Sequence, residues 1–306
     1  MHSSNDVIPA PKNILLLVAA SLINTLLLYW ASHSAWWGVI VAAGGFSLSN
    51  NTLFSLLHES VHGIFAENRY INRMAGCLAA CWFPTGWLIQ RAFHLTHHQQ
   101  NRSEKEQFDI LHPKDIRWLK YAQWYSIFTG LYWFITVFGV VVYAITPQIV
   151  RHYLIRVFGR QGSEQTSADS YIGILDNLPP VLSRLEIIFS IAWQILLFLL
   201  LDLSLIAWLS CYSAFALMWS SLQYTDHAFS PLDNQNGAWN LHVPKWLQSI
   251  FLNYHLHLAH HQHPQVPWVY LPRYADKGPR FIAVWLACLR GPRSLSCLPT
   301  FEEKPF

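Results

Sequence analysis

The sequence predicts an all-α integral membrane protein with four transmembrane helices and shorter helices at the membrane surface. Only 12% of its 306 residues are charged, whereas soluble domains average about 25%. Several stretches are long and apolar enough to cross a bilayer. Histidine occurs 16 times, and half of these residues fall in three short clusters. The net charge of +3 is too small to indicate binding to nucleic acid.

Four apolar stretches are the predicted spans, because a helix needs about 20 mostly apolar residues to cross the hydrocarbon core. The last two are separated only by Asp202, which we interpret as the tip of a tight hairpin. A single domain is expected to cover residues 1–306, since no polar linker divides the chain. The predicted spans are residues 14–30, 36–57, 187–201 and 203–222.

The distribution of basic residues predicts which side of the membrane each region faces. All 20 Lys and Arg residues lie outside the two turns at residues 31–35 and at Asp202. Loops rich in Lys and Arg stay on the cytosolic side, so these two turns should face outward. The N-terminus, the C-terminus and the histidine clusters are then expected in the cytosol.

The three histidine clusters have the spacing of metal ligands. They are H-x3-H at His58–His62, H-x2-H-H at His94–His98 and H-x2-H-H at His257–His261. Helical residues three and four positions apart are neighbours, and neutral imidazole binds iron, zinc or copper. Each cluster is therefore expected to present its imidazoles to one point. One metal ion rarely takes more than about six ligands, so eight histidines indicate two metal ions.

A further histidine, His227, follows the fourth predicted span, and Gln223 lies four residues before it. A helix would place both side chains on one face. An ionisable residue within a membrane segment is a functional hypothesis by default. We expect His227 to be a ninth ligand and Gln223 to hold a metal-bound water. The alternative is an ordinary helix-end histidine at the interface.

Two other apolar stretches are expected not to cross the membrane. Residues 76–90 are short and contain Pro84, so we expect an interfacial or re-entrant segment. All histidine clusters must lie on one side to share a centre, and the hairpin already supplies two crossings between the second and third clusters. Residues 124–146 should therefore lie in the interface or dip in and return, which Gly130 and Gly139 would permit.

The clusters, in this order and with two spans between the second and third, resemble the histidine boxes of the membrane fatty acid desaturase and hydroxylase superfamily. The resemblance covers about residues 14–270 and extends through His263-Pro264 to Pro267-Trp268. It implies four spans, interfacial helices and a di-iron centre in a cytosolic, histidine-rich metal cap. The ligands that it implies are His58, His62, His94, His97, His98, His257, His260 and His261.

The resemblance also suggests residues around the ligands. One branch of the superfamily has Asn four residues before its additional histidine, where this chain has Gln223 before His227. Members often carry Asp-Pro-Asp after the second box, and the nearest match here is Asp109, without Pro. Asp109 is therefore a candidate for orienting an imidazole, with a solvated carboxylate as the alternative. The other candidates for contact with the ligands are Asp226, Glu59 and His255.

The activity implied by the resemblance is an O2-dependent oxidation of an unactivated C–H bond by two iron ions. The expected function is desaturation of a fatty acyl or similar long hydrocarbon chain from the bilayer. A hydroxylase or ketolase of the same superfamily, acting on a lipid, alkane or carotenoid, is the alternative. Electrons are expected from a separate donor of the ferredoxin, rubredoxin or cytochrome b5 type, because the chain has no C-x2-C pair. The expected pocket walls are Trp82, Trp87, Phe93 and Trp219, for which a membrane-interface position is the alternative.

Two rival functions use fewer of the histidines. His58-Glu59-x-x-His62 is also the H-E-x-x-H motif of zinc proteases, for which Asp233 would be a third ligand. This interpretation leaves the other clusters without a role. A metal carrier would place its ligands near the middle of the membrane, whereas these clusters lie at the predicted ends of spans.

Overall fold

The computed structural model describes residues 6–145, 173–175 and 177–294, and its regular structure is mostly helical. Short 3-10 helices cover Glu104–Glu106 and Leu271–Arg273. Strands β1 (Ile110–Leu111) and β2 (Arg293–Ser294) form one parallel pair. In chain order the α-helices are α1 (Ala10–Ser32), α2 (Trp36–His62), α3 (Arg69–Ala80), α4 (Trp87–Gln100), α5 (Arg117–Phe128), α6 (Leu131–Ile145), α7 (Pro180–Leu200), α8 (Leu205–Thr225), α9 (Lys245–Ile250), α10 (His257–Gln262) and α11 (Phe281–Cys288).

Four of these helices, α1, α2, α7 and α8, are long and apolar enough to cross a membrane. They overlap the four predicted spans, which confirms the predicted fold class. Large apolar side chains cover their outer surface: Leu15, Leu26 and Leu199 are each at least 65% exposed. A continuous surface of this kind indicates contact with lipid. The side of the membrane on which the histidines lie stays a prediction, as does the single domain, and both chain ends lie outside the described residues.

Buried amides hold the first two spans together. The side-chain amide of Asn24 donates to Oδ1 of Asn50 at 2.8 Å, and that of Asn50 donates to the carbonyl of Trp82 at 3.3 Å. Polar groups in a membrane interior need such partners, because no water is there to replace them. These bonds fix α2, whose last turn carries the first histidine cluster, against α1 and the turn after α3.

Helices α5 and α6 meet at a bend of 97°. The bend is at Gly130, where φ is +77° and an added Cβ would lie 2.7 Å from the backbone nitrogen of Leu217 in α8. Only glycine combines this backbone conformation with so close an approach. A bend of this kind occurs in a broken span as well as in a segment that dips in and returns, so it stays a prediction that residues 124–146 make no single crossing. Gly139 lies inside α6 and not at the break. Residue 146, the last of the predicted stretch, lies outside the described residues.

The predicted surface segment 76–90 runs from α3 through a buried turn into α4, and neither helix is long enough to span. Glu186 of α7 holds the start of α4: its Oε2 accepts from the backbone N–H of Leu88 at 2.8 Å. Its Oε1 accepts from Arg73 of α3 at 2.7 Å. A carboxylate at a helix N-terminus is favourable, because the N–H groups there lack partners. A membrane helix thus positions the helix that carries the second histidine cluster.

The chain after α8 forms a cap on the histidine-bearing end of α2. The hydroxyl groups of Thr52 and Ser55 donate to the carbonyls of Ile250 and Phe251 at 2.7 and 2.9 Å. This packing brings α10, with the third cluster, next to the last turn of α2.

Candidate metal centre

The structure gathers all nine histidines that the sequence nominated as ligands into two groups. Within each group, one nitrogen from every imidazole lies within 4.8 Å of the nitrogens of the others. The five-imidazole group consists of His58, His62, His94, His98 and His260. The four-imidazole group consists of His97, His227, His257 and His261.

The second and third clusters are each divided between the two groups. On α4, His94 and His98 enter the five-imidazole group and His97 enters the other; on α10, only His260 enters the five-imidazole group. The prediction that each cluster points to one place was therefore wrong for these two clusters. Residues four apart differ by about 40° around a helix, whereas adjacent residues differ by about 100°. Each helix consequently supplies both groups, which holds the groups side by side.

His227 reaches the four-imidazole group from outside a helix. Helix α8 ends at Thr225, so the prediction that Gln223 and His227 lie on one helical face is corrected. A turn places the ring, whose Nδ1 lies 2.8 Å from the carbonyl of Gly237 and whose Nε2 lies 3.0 Å from Nε2 of His97. Oε1 of Gln223 accepts from the Tyr254 hydroxyl at 2.9 Å. The role of Gln223 in holding a water stays a prediction.

The imidazole nitrogens face one another at hydrogen-bond distance. Nε2 of His94 lies 2.7 Å from Nε2 of His62, and Nε2 of His98 lies 3.0 Å from Nε2 of His260. Burial lowers the pKa of six of these imidazoles, all outside the spans, so these six are neutral at pH 7. Neutral imidazole is the form that binds metal ions. The imidazoles with a lowered pKa are His94, His98, His227, His257, His260 and His261.

The donor set fits two metal ions. The buried Nε2 atoms of His58 and His261 have no hydrogen-bond partner among the described residues. A buried polar atom without a partner is costly. One metal ion in each group would give each of these two nitrogens a partner. Five and four nitrogen donors also match the number of ligands that transition metals accept.

Carboxylates stand behind two of the ligands. Nδ1 of His97 lies 2.7 Å from Oε2 of Glu106, and Nδ1 of His257 lies 3.6 Å from Oδ2 of Asp226. Glu106 is placed to accept the Nδ1 proton of His97, which leaves the Nε2 lone pair for a metal ion. The distance of 3.6 Å between His257 and Asp226 is too long for a hydrogen bond. The position of Asp226 agrees with its nomination, but its role stays a prediction. Sequence reasoning missed Glu106, whose only signal is its place in the polar segment after the second cluster.

Comparison with known proteins decides the family. A family model described as fatty acid desaturase matches residues 31–283, a range that contains both imidazole groups. The chain belongs to the fatty acid desaturase family. No match was found among curated proteins. Membership of the desaturase family implies an oxidoreductase, and the family is typically iron-dependent.

In this desaturase-family protein, two residues that were nominated for contact with the ligands, Asp109 and His255, lie in other surroundings. The carboxylate of Asp109 forms a two-pronged ion pair with Arg102, at 2.6 and 3.0 Å, and accepts from the backbone N–H of Phe229 at 2.7 Å. The prediction that Asp109 orients an imidazole directly is therefore corrected: it fixes the turn that carries His227. The ring of His255 is in neither group; burial lowers its pKa to about 4, and its Nδ1 has no partner among the described residues.

The arrangement differs from that of a zinc protease. Glu59 belongs to neither group, and its Oε2 accepts from the backbone N–H of Trp268 at 3.1 Å. Asp233, the nominated third ligand, accepts from Gln235 and Asn236 in its own exposed turn. The histidines of the H-E-x-x-H motif are instead surrounded by three further imidazoles.

A cavity of about 620 Å³ opens beside both groups. His94 belongs to the five-imidazole group, His97 and His227 belong to the other, and all three line its wall. Of the expected pocket walls, Phe93 and Trp219 line the cavity. The indole N–H groups of Trp82 and Trp87 instead donate to Ser21 and Ser60 at 3.1 Å in each case. The other aromatic residues of the wall are Phe54, Phe83, Phe108, Tyr132, Phe138, Tyr143 and Tyr224.

Proposed function

We propose that the protein is a membrane di-iron oxidoreductase that uses O2 and external electrons to desaturate a fatty acyl or similar long hydrocarbon chain. The observation that supports this proposal is the pair of imidazole groups opening onto one apolar cavity. Family membership supports an oxidoreductase of this class without deciding its reaction or substrate.

The proposal assigns the two iron ions to the two imidazole groups. Bound there, the ions would supply the oxidation by O2 of a C–H bond that no amino-acid side chain can attack. The residues of the chain hold the ions and keep water away. Phe93 and Trp219 would hold the hydrocarbon beside His94 and His97, because they line the same cavity.

The lining of the cavity supports an uncharged substrate segment. Among the described residues, this lining contains no Lys or Arg, and its one carboxylate is that of Glu106. An anionic headgroup would find no cation among these residues, so we place the charged end of an acyl substrate outside the cavity. A hydrocarbon chain would enter from the bilayer, which already surrounds the spans.

We also propose that electrons come from a separate acidic carrier of the ferredoxin, rubredoxin or cytochrome b5 type. All 20 Lys and Arg residues lie outside the two turns predicted to face outward, at residues 31–35 and at Asp202. Opposite charges speed such encounters. The carrier would dock on the cytosolic side, where the positive-inside rule places these residues.

Metal analysis tests the proposal. The protein is purified in mild detergent from iron-supplemented cells, together with the variants His260→Ala and His263→Ala. His263 is the control, because its ring packs on Tyr274 and lies outside both groups. We expect about two irons per chain in the wild type and the control, and fewer in His260→Ala. One zinc per chain that survives His260→Ala would overturn the proposal and favour a zinc protease.

Product analysis tests the reaction. The iron-loaded protein is supplied with lipid, reduced ferredoxin and isotopically labelled O2. A desaturated product loses two hydrogens and gains no label, whereas a hydroxylated product gains one labelled oxygen. A labelled alcohol or ketone as the main product would show that the reaction is hydroxylation or ketone formation and not desaturation.

A further inference from the structure

The two imidazole groups differ in what lies behind them. In the four-imidazole group, Nδ1 of His97 faces Glu106 at 2.7 Å, and Nδ1 of His257 faces Asp226 at 3.6 Å. Across the described ranges, no carboxylate lies within 4.0 Å of a ring nitrogen of the five-imidazole group. Arg91 instead donates to the carbonyl of Val61, the residue before His62 in α2. This contact places a positive charge beside the five-imidazole group.

The contact of Glu106 is the shorter of the two carboxylate contacts, and the fold holds it in place. Glu106 is only 5% exposed and ends the 3-10 helix Glu104–Glu106. The ion pair between Arg102 and Asp109 closes the loop around this helix. The side-chain amide of Gln107 donates to the carbonyl of Arg102 at 3.2 Å inside the same loop. These contacts shape the loop that holds the Glu106 carboxylate against Nδ1 of His97.

The chemistry of this contact concerns one ligand of one group. A carboxylate that accepts the Nδ1 proton fixes the ring orientation and makes the other nitrogen a stronger donor to a metal ion. His97 belongs to the four-imidazole group only. Removal of such a partner typically lowers metal affinity about 10–100-fold, and here the loss should fall on one of the two metal positions.

We propose that Glu106 positions His97 for metal binding, and that its loss weakens the four-imidazole position while leaving the five-imidazole position unchanged. Glu106 is thus a positioning residue that acts through His97. This inference rests on the proposed two-metal centre and adds that its two positions are unequal and can be changed separately.

Metal titration tests this inference. Wild type, Glu106→Ala, Glu106→Gln and Glu104→Ala are stripped of metal and titrated with Co²⁺ against a chelator, with the Co²⁺ absorption spectrum as readout. Glu104 is the matched control, because it is an exposed carboxylate in the same 3-10 helix. In Glu106→Ala we expect one Co²⁺ bound as in the wild type and the second bound about 10–100-fold more weakly. Glu106→Gln keeps an acceptor but loses the charge. Its affinity for the second Co²⁺ should lie between those of the wild type and Glu106→Ala.

The possible results separate this inference from the proposed function. Two equally tight sites in Glu106→Ala, or an equal weakening of both sites, would overturn the role of Glu106 and leave the two-metal centre standing. A wild type that binds fewer than two Co²⁺ would overturn the proposed function. If Glu106→Ala does not give folded protein, the Co²⁺ titration of Glu106→Gln decides the role of Glu106, because this variant preserves the size and the acceptor of the side chain.

Discussion

The two sides of the histidine centre are built in opposite ways. On one side lies the cavity, with walls such as Ile135 and Phe138 from α6 that offer no hydrogen bonds. On the other side, the chain after α8 is tied by polar contacts: the backbone N–H of Trp239 donates to the Asp226 carbonyl at 2.7 Å, and that of Ala259 to Asn240 Oδ1 at 2.9 Å. The imidazoles on the chain after α8 are thus fixed by polar contacts, while the cavity side stays open to an apolar molecule.

This contrast separates two kinds of substitution. Changes on the cap side should affect metal binding and stability, because that side determines where the imidazoles lie. Changes to the apolar walls of the cavity, such as Ile135 and Phe138, should affect which substrate is used, because these side chains support no ligand. Four experiments test the contrast, in order of decreasing effect.

Replacing a ligand at the junction of the two groups should have the largest effect. His98 stacks on His261 with ring centroids 4.2 Å apart, and its Nε2 lies 3.0 Å from that of His94. We expect His98→Ala to lose metal and all turnover, measured by metal analysis and product formation. The control is His33→Ala, because His33 stacks on Tyr29 at the far end of α1. Normal turnover in His98→Ala would contradict the assignment of the centre.

Acid should destabilise the metal-free protein more than any single substitution outside the ligands. Burial holds the pKa of imidazoles such as His94, His227 and His257 below the ordinary value of 6.5. Below pH 6.5 the unfolded chain therefore binds more protons, so stability is highest above this pH and falls as the pH drops. Each such imidazole contributes up to about 1.4 kcal/mol of unfolding free energy per pH unit. Thermal unfolding between pH 8 and 5 measures this slope, and a flat profile would contradict it.

Breaking the buried ion pair on the cap side should come next. Arg102 and Asp109 are each 2% exposed at their side chains, and loss of one partner leaves the other charge buried. We expect Arg102→Ala to cost about 3–5 kcal/mol of unfolding free energy, seen as a lower Tm in detergent. Arg69→Ala is the control, since Arg69 is exposed and contacts its neighbour Tyr70. Equal Tm values for the two variants would refute the importance of this pair.

Filling the cavity should have the smallest effect on the protein and change only its substrate preference. Gly139 lines the cavity, and an added Cβ there meets nothing within 4 Å. We expect Gly139→Leu to favour shorter chains, by roughly fourfold in kcat/KM for each methylene that no longer fits. Gly44→Leu is the matched control, because Gly44 has the same open space on the exposed surface of α2. Competition between acyl chains of different lengths measures the preference, and identical preferences would show that the cavity does not hold the chain.

Much of the fold could be predicted because it depends on local pattern. The four spans follow from apolar length, and the nine histidines follow from spacing and from the end of the fourth span. The division of His97 from His94 and His98 was also accessible, because it follows from helical geometry alone. The two groups become separate only when the direction of each side chain around the helix, and not the cluster as a whole, is considered.

The remaining features depend on side-chain contacts in loops and turns, which neither helical spacing nor apolar length indicates. Glu106 reaches His97 only because Arg102 and Asp109 close the loop between them. Asp109 itself was nominated for the wrong partner, since no local pattern shows that a buried guanidinium lies nearby. The ring of His227 is likewise oriented by the Gly237 carbonyl, a contact between two residues outside the helices that no helical or apolar pattern indicates.

The contact of Glu186 with the start of α4 has a practical consequence for anyone who wants a soluble fragment. Two proposed ligands, His58 and His62, lie on the membrane helix α2. Helix α4, which carries three more, begins on the Glu186 carboxylate, which another membrane helix, α7, supplies. Anchor and catalytic region are therefore not separable parts. Deleting the spans to obtain a water-soluble enzyme would remove ligands directly and release α4, so detergent, nanodiscs or redesign of the lipid-facing surface are the workable routes.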